Sequence, residues 1–145
     1  MKKSLGLLLA VVMIGCSVGC GSKKVLTCTK TEKESGMEMS QKIKATFNGN
    51  NVKEVEVTVD AKLSDEYKSY KSLFMSSLES SFESYKDLKG VSVKTSDKND
   101  TITVTLKADL TKMDKDAKKK LDVVDTKASY KDSKKDLEKD GYTCK

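Results

Sequence analysis

The sequence predicts an α+β domain in which an antiparallel sheet of about five strands packs on one long amphipathic helix, with C-terminal helices. Three observations predict it. Segments on both sides of a central stretch alternate apolar and polar residues with a period of two, as half-buried strands do. From Ser64 to Gly90 the apolar residues recur instead at three- and four-residue steps, as on a helix with one buried face. The chain has 145 residues, enough for one core, because a single core grows efficiently at about 100 to 150 residues.

Val25 to Glu32 reads as the first strand. Lys33-Glu34-Ser35-Gly36 turns into a second, where Met37, Met39, Ile43, Ala45 and Phe47 alternate with polar residues. Asn48-Gly49-Asn50 is a hairpin signal, since Asn and Gly tolerate the positive φ of tight hairpin turns. Val55, Val57, Val59 and Ala61 form a third, half-buried strand.

The long helix follows, with Ser64 as its N-cap and Tyr67, Tyr70, Phe74, Leu78, Phe82, Tyr85 and Leu88 as its apolar stripe. The same projection leaves Ser72, Glu79 and Glu83 in water and sets Ser77 and Ser81 inside the stripe, where small residues let a helix approach a sheet closely. Val91 and Val93 open a fourth strand, Asp97-Lys98-Asn99-Asp100 turns, and Ile102, Val104, Leu106 and Ala108 alternate in a fifth. A second helix is expected from Thr111, with Asp114 completing an approximate capping box and Met113, Ala117, Leu121 and Val124 on one face. A third runs from about Ser129 to Asp140 and stops at Gly141, returning Tyr142 and Cys144 toward the first strand.

Hydrophobic residues make up 37% of the chain and charged residues 34%, with a formal net charge of +6. All 28 basic residues are Lys, and the sequence has no Arg, His, Trp or Pro. Without His there is no imidazole base, His metal ligand or Ser-His-Asp triad. Without Arg there is no bidentate fork for phosphate or carboxylate. No cofactor and no metal are expected.

The N-terminus carries an export signal. Lys2 and Lys3 precede an uncharged apolar run from Leu5 to Ile14, which meets Gly21-Ser22-Lys23-Lys24 before reaching the roughly 20 residues of a membrane span. Small residues precede two cysteines, in Met13-Ile14-Gly15-Cys16 and Ser17-Val18-Gly19-Cys20, and either tetrapeptide resembles a lipobox. That resemblance implies a diacylglyceryl group on the cysteine sulfur. Cleavage before Cys20 leaves Cys28 and Cys144 as an even pair, whereas cleavage before Cys16 leaves Cys20 as an odd thiol. Cys20 is therefore the favoured lipidation site and Cys16, whose box is the more apolar, the alternative. The organisation expected is a cleaved lipoprotein signal peptide at 1–19, a lipidated cysteine and polar tether at 20–24, and one α+β domain at 25–145.

Outside the cytoplasm a disulfide is chemically permitted. Cys28 and Cys144 sit at opposite ends of the mature chain, and a bond between them closes nearly all of it. In the chain-entropy model a loop of that size is worth about 4 to 5 kcal/mol at most. A redox or metal pair would need closer spacing or another soft ligand.

Beyond the lipobox, Leu26-Thr27-Cys28-Thr29-Lys30, Leu63-Ser64-Asp65-Glu66-Tyr67-Lys68, Gly90-Val91-Ser92-Val93-Lys94 and Gly141-Tyr142-Thr143-Cys144-Lys145 make the chain resemble the YehR-like small bacterial lipoproteins. The resemblance spans most of the mature chain. It implies a lipid-anchored α+β domain of uncharacterised activity and brings no catalytic or ligand residues with it.

Three further features have chemistry open to two readings. The aromatic stripe could line a ligand groove, but in a domain with few other large apolar residues it reads as core. The stretches Lys112 to Lys120 and Lys127 to Lys139 could meet anionic headgroups or wall polymers, yet Asp114, Asp116, Asp122, Asp125, Asp132 and Asp136 interleave and favour a solvated helix face. Asp97, Asn99 and Asp100 could hold Ca²⁺, but they lack the full oxygen-ligand pattern and read as turn chemistry.

The function expected is that of a surface-anchored, non-enzymatic binding or interaction module at the extracytoplasmic face of the cell membrane. Its expected partners are the membrane, through the lipid, and an envelope protein, peptide or anionic wall polymer, met through the sheet face or edge that the helix leaves uncovered. Nucleic acid is not expected, because the location is wrong and stacking motifs are missing. An envelope structural or stress role without a specific ligand is the alternative, with a hydrolase behind both.

Overall fold

The computed structural model describes residues 23–34, 37–123 and 126–145. The expected leader at 1–19 with Cys16, the expected lipidation site Cys20, Gly21 and Ser22 of the expected tether, Ser35 and Gly36 of the expected first turn, Val124 and Asp125 lie outside the described residues.

The strands are β1 (Lys23–Glu34), β2 (Met37–Asn48), β3 (Asn51–Leu63), β4 (Val91–Lys98), β5 (Thr101–Asp109) and β6 (Thr143–Cys144). The helices are α1 (Lys71–Lys86), α2 (Lys115–Lys120) and α3 (Tyr130–Lys139), with a 3-10 turn over Asp65–Tyr70 ahead of α1. One antiparallel sheet runs in the order β4-β5-β3-β2-β1-β6. The α+β class therefore holds, but the sheet has six strands rather than about five. The extra one is only two residues long and too short to show a period. It forms because the backbone around Cys144 pairs with β1, Thr27 and Lys145 exchanging hydrogen bonds of 3.1 and 2.9 Å.

Side-chain direction follows from the register. Leu26, Ala45, Val55, Ala108 and Val91 lie side by side across five strands, and the next row is Cys28, Ile43, Val57, Leu106 and Val93. These rows form the core face. A register shift at Thr46/Phe47 leaves Lys53 without a partner, so Val52 as well as Val55 turns inward. The opposite face carries ladders of hydroxyls and charges, such as Thr31 with Ser40 at 3.1 Å, Lys33 with Glu38 at 2.9 Å and Thr103 donating to Asp60 at 2.5 Å.

Three boundaries differ from the sequence expectation. Lys23 and Lys24 belong to β1 and not to the tether, because their backbones pair with Asn48 and Phe47. The long helix is shorter than expected: the Ser64 hydroxyl makes no capping bond, residues 65–70 coil as a 3-10 turn, and regular helix spans only Lys71–Lys86. Lys68 and Lys71 explain the tight turn, since they are drawn to the β4–β5 turn, Lys68 to Asp100 at 2.9 Å and Lys71 to the Asn99 carbonyl at 2.6 Å. The second helix starts after Asp114, whose carboxylate accepts from the Ala117 amide at 2.8 Å. Thr111 cannot start it, because its amide and hydroxyl both donate to Asp109 and close the turn after β5.

The third helix runs as expected, with the Ser129 hydroxyl accepting from the Asp132 amide at 3.0 Å and Gly141 ending it at φ +87°. It lays Leu137 on the sheet and sets Tyr130 edge-on to Phe47, with ring centroids 5.7 Å apart. All six strands, the packed core and the bond between Cys28 and Cys144 lie within residues 23–145.

Candidate functional site

Helix α1 packs over the edge strand β4, and α3 packs over β1 and β6. Between them the centre of the core face is incompletely covered. A strand of 13 residues spans roughly 43 Å at about 3.3 Å per residue, whereas a helix of 16 residues spans roughly 24 Å at 1.5 Å per residue. The result is a cavity of about 290 Å³ bounded by α1, β3, β5, the start of β2 and the end of α2.

Val57, Val59 and Ala61 of β3 and Ile102, Val104 and Leu106 of β5 form its floor. Phe74, Leu78, Phe82 and Tyr85 form the wall that α1 contributes, spaced so that all four face the sheet. Met37 and Met39 of β2 and Leu121, with Lys120 and Asp122, complete the lining. Every lining residue except these last two is apolar or aromatic. Met is unbranched and polarizable, which lets that part of the lining adapt to differently shaped occupants.

The aromatic stripe is thus only partly core. Phe82 is buried, Phe74, Leu78 and Tyr85 are half-buried against the cavity, and Tyr70 stands 55% exposed. Ser77 and Ser81 do not face the sheet as expected. Both are exposed, and the Ser81 hydroxyl donates to the Ser77 carbonyl at 2.8 Å. Ser72, Glu79 and Glu83 are on the wet side as expected.

A polar wall borders the cavity along the sheet. Val59 lies opposite Gln41, which lies opposite Lys30. The Tyr142 hydroxyl donates to Gln41 Oε1 at 2.6 Å, and Lys30 Nζ sits 5.7 Å from the Tyr142 ring centre while pairing with Glu32 at 2.7 Å. Burial pushes the Tyr142 hydroxyl above the usual tyrosine range, and the Glu32 carboxylate holds the Lys30 ammonium above the usual lysine range.

The remaining candidates fall elsewhere. Cys28 and Cys144 face one another across β1 and β6 as a disulfide, with Cα atoms 4.1 Å apart, beneath α3 and away from the cavity. Asp97, Asn99 and Asp100 come together at the β4–β5 turn, but Asp97 faces Lys71 at 3.3 Å, Asp100 faces Lys68, and Asn99 adopts φ +55° as turn chemistry requires. Among the described residues no group of three or more His, Cys, Asp or Glu is placed to hold a metal ion. In the lysine-rich helices, Lys134 pairs with Glu138 at 3.7 Å and Lys139 with Asp136 at 3.4 Å, local pairs of a solvated face.

Sequence reasoning missed Met37, Met39, Ala61, Lys120 and Asp122 as part of a site. No signal in the sequence could have found it, because the expected helix from Ser64 to Gly90 was long enough to cover the strands and only the structure shortens it to Lys71–Lys86.

The comparisons bear on the fold. Similar solved structures include an NMR structure of a protein from Streptococcus pneumoniae TIGR4, at 18% identity and a TM-score of 0.58, covering 92% of this chain and 91% of that one. A second is the NMR structure of Escherichia coli YehR, at 15% identity and a TM-score of 0.50, covering 86% of this chain and 91% of that one. The fold is shared with YehR. At these identities the likeness to YehR concerns the fold alone, and the expected resemblance holds at that level. No family profile and no curated protein matches the chain.

Proposed function

We propose that this chain is a lipid-anchored, non-enzymatic binding module of the bacterial cell envelope, which takes the apolar part of its ligand into the cavity between α1 and the sheet. The cavity carries the reading. An engineered void of about 150 Å³ lined by apolar side chains stays dry and binds benzene, so one of about 290 Å³ has room for an alkyl segment or a pair of apolar side chains. Ligand pockets are typically apolar, with a few polar groups that fix orientation. Lys120 and Asp122 at one side supply such groups.

The site differs from the one expected from the sequence, which was the sheet face or edge left bare by the helix. That face carries paired hydroxyls and ion pairs, whereas apolar surface is gathered beneath α1. The anchor rests on the apolar run from Leu5 to Ile14 and on Cys20, with Cys16 as the alternative. The pairing of Cys28 with Cys144 suits an oxidising, extracytoplasmic compartment. The fold shared with YehR supports placing the chain among the YehR-like lipoproteins.

The test uses the soluble chain 21–145 and the fluorescent probe anilinonaphthalene sulfonate. The folded protein is expected to bind the probe saturably, and Ala61→Phe, which fills the floor of the cavity, is expected to weaken binding at least ten-fold while near-UV circular dichroism is unchanged. Equal binding by the variant, or no saturable binding by the parent, would overturn the reading. Intact mass of the chain extracted from its host membrane reads the anchor separately, as a diacylglyceryl-modified species beginning at Cys20.

A further inference from the structure

The sheet register gathers exposed lysines at one end of the domain. Lys23 pairs with Asn48 and Lys24 with Phe47, so the start of β1 lies beside the β2–β3 turn. Asn51 bridges to Lys127, and the Lys53 carbonyl accepts from the Leu110 amide at 2.9 Å, which brings the end of β5 to the same place. A Cβ at Gly90 would lie 3.1 Å from the Lys112 carbonyl carbon, so Lys89 and Lys112 are neighbours there too. Of these lysines only Lys53 is half-buried. The acids at this end are largely engaged: Asp109 with Lys112 at 2.9 Å, Glu54 with Lys107 at 3.2 Å, and Asp114 as the cap of α2. Asp87 and Asp116 are the exceptions.

The opposite end has no such excess. Glu32, Glu38, Asp65, Glu66, Asp97 and Asp100 collect where β1 meets β2 and β4 meets β5, with Lys33, Lys62, Lys68, Lys71 and Lys98 among them, so charge there is close to balanced. The domain is therefore polarised along its strands. We propose that the lysine-rich end rests on anionic lipid headgroups and stands the sheet upright on the membrane. Cys20 lies three residues before Lys23, and three extended residues reach about 11 Å at most. That is close to the Debye length of about 8 Å at physiological salt, within which a negative leaflet attracts lysines.

The inference rests on the lipid anchor of the proposed function and adds an orientation to it. Met39 lies nine residues along β2 from Asn48, which sets that side of the cavity roughly 30 Å from the tethered end. The ligand is then met on the side away from the bilayer.

The test uses the unlipidated chain 21–145, which contains the whole described fold, and sedimentation with vesicles. Binding to vesicles of phosphatidylglycerol and phosphatidylcholine in equal parts is expected at low salt, with loss at high salt and none on pure phosphatidylcholine. The triple variant Lys23→Glu, Lys24→Glu, Lys89→Glu is expected to weaken partitioning by roughly a hundred-fold, about five-fold for each lysine removed. Lys33→Glu, Lys62→Glu, Lys98→Glu, with the same net charge but at the other end, should stay within a few-fold of the parent. Equal losses in the two variants would show that net charge alone governs binding and would overturn the proposal, as would indifference to phosphatidylglycerol. Because this assay needs no lipid on the protein, its outcome is independent of the mass measurement that tests the anchor.

Discussion

Asp109 shows how a single side chain closes a turn. Its carboxylate accepts from the Thr111 hydroxyl at 2.5 Å, from the Lys112 ammonium at 2.9 Å and from the Thr111 amide at 3.1 Å. The hydroxyl, foremost, and the ammonium hold its pKa down at about 2 against an ordinary 3.8. A carboxyl with a depressed folded-state pKa adds stability that is present above its unfolded pKa and is lost as pH falls through the folded one. Asp109→Asn is accordingly expected to lower the melting temperature above about pH 5 and to lose that effect progressively between pH 4 and pH 2. Melting curves of both proteins across this range check it, and a gap that stays constant down to pH 2 would sink the assignment. The buried hydroxyls of Ser64 and Ser133 have the opposite character, since neither has a hydrogen-bond partner among the described residues. Ser133 is only 2% exposed, and an unpaired buried hydroxyl costs about 1 to 3 kcal/mol.

At the scale of elements, the passage from α1 to β4 depends on one glycine. Gly90 takes φ +81°, and a Cβ there would stand 2.8 Å from the Asp109 carbonyl oxygen and 3.0 Å from the Met113 amide nitrogen. The Gly90 carbonyl meanwhile accepts from the Asp109 amide at 2.7 Å, which ties the start of β4 to the end of β5. Gly90→Ala is expected to destabilise by about 1 to 3 kcal/mol, read as a lower urea midpoint with an unchanged slope. A midpoint equal to the parent's would mean that the backbone shifts at little cost.

The alternation of Val55, Val57 and Val59 made β3 legible in the sequence, and the helical steps from Phe74 to Tyr85 made α1 legible. The inward turn of Val52 was not legible, because it depends on a shift in pairing between two strands. Nor was the 3-10 turn at 65–70, which depends on Lys68 and Lys71 reaching a turn some thirty positions away.

Across the whole molecule, the bond between Cys28 and Cys144 spans a sequence separation of 116. It fixes β6 to β1 and holds the C-terminal strand beneath α3. Replacing both cysteines by Ser is expected to cost about 2 to 5 kcal/mol, a shift on the order of ten degrees in melting temperature for a domain of this size. A shift of only a degree or two would assign the stability to the core instead. The cavity belongs to this scale as well. Only when α1 lies over β4 and α3 over β1 does the strip between them become a pocket, so its lining comes from three strands and two helices distant in sequence. The polarity of the two ends arises in the same way, from turns that the register brings together.

By itself the sequence determined the α+β class, the strand and helix pattern, the cysteine pair open to a disulfide and the expectation of an exported, anchored chain, because each is written in local periodicity or in a short motif. Tertiary structure alone decided the sixth strand, the bulge that turns Val52 inward, the late start of the long helix and the cavity beneath it. Each of these depends on which elements become neighbours and on how far a helix reaches along a longer strand, and neither distance exists until the chain has folded.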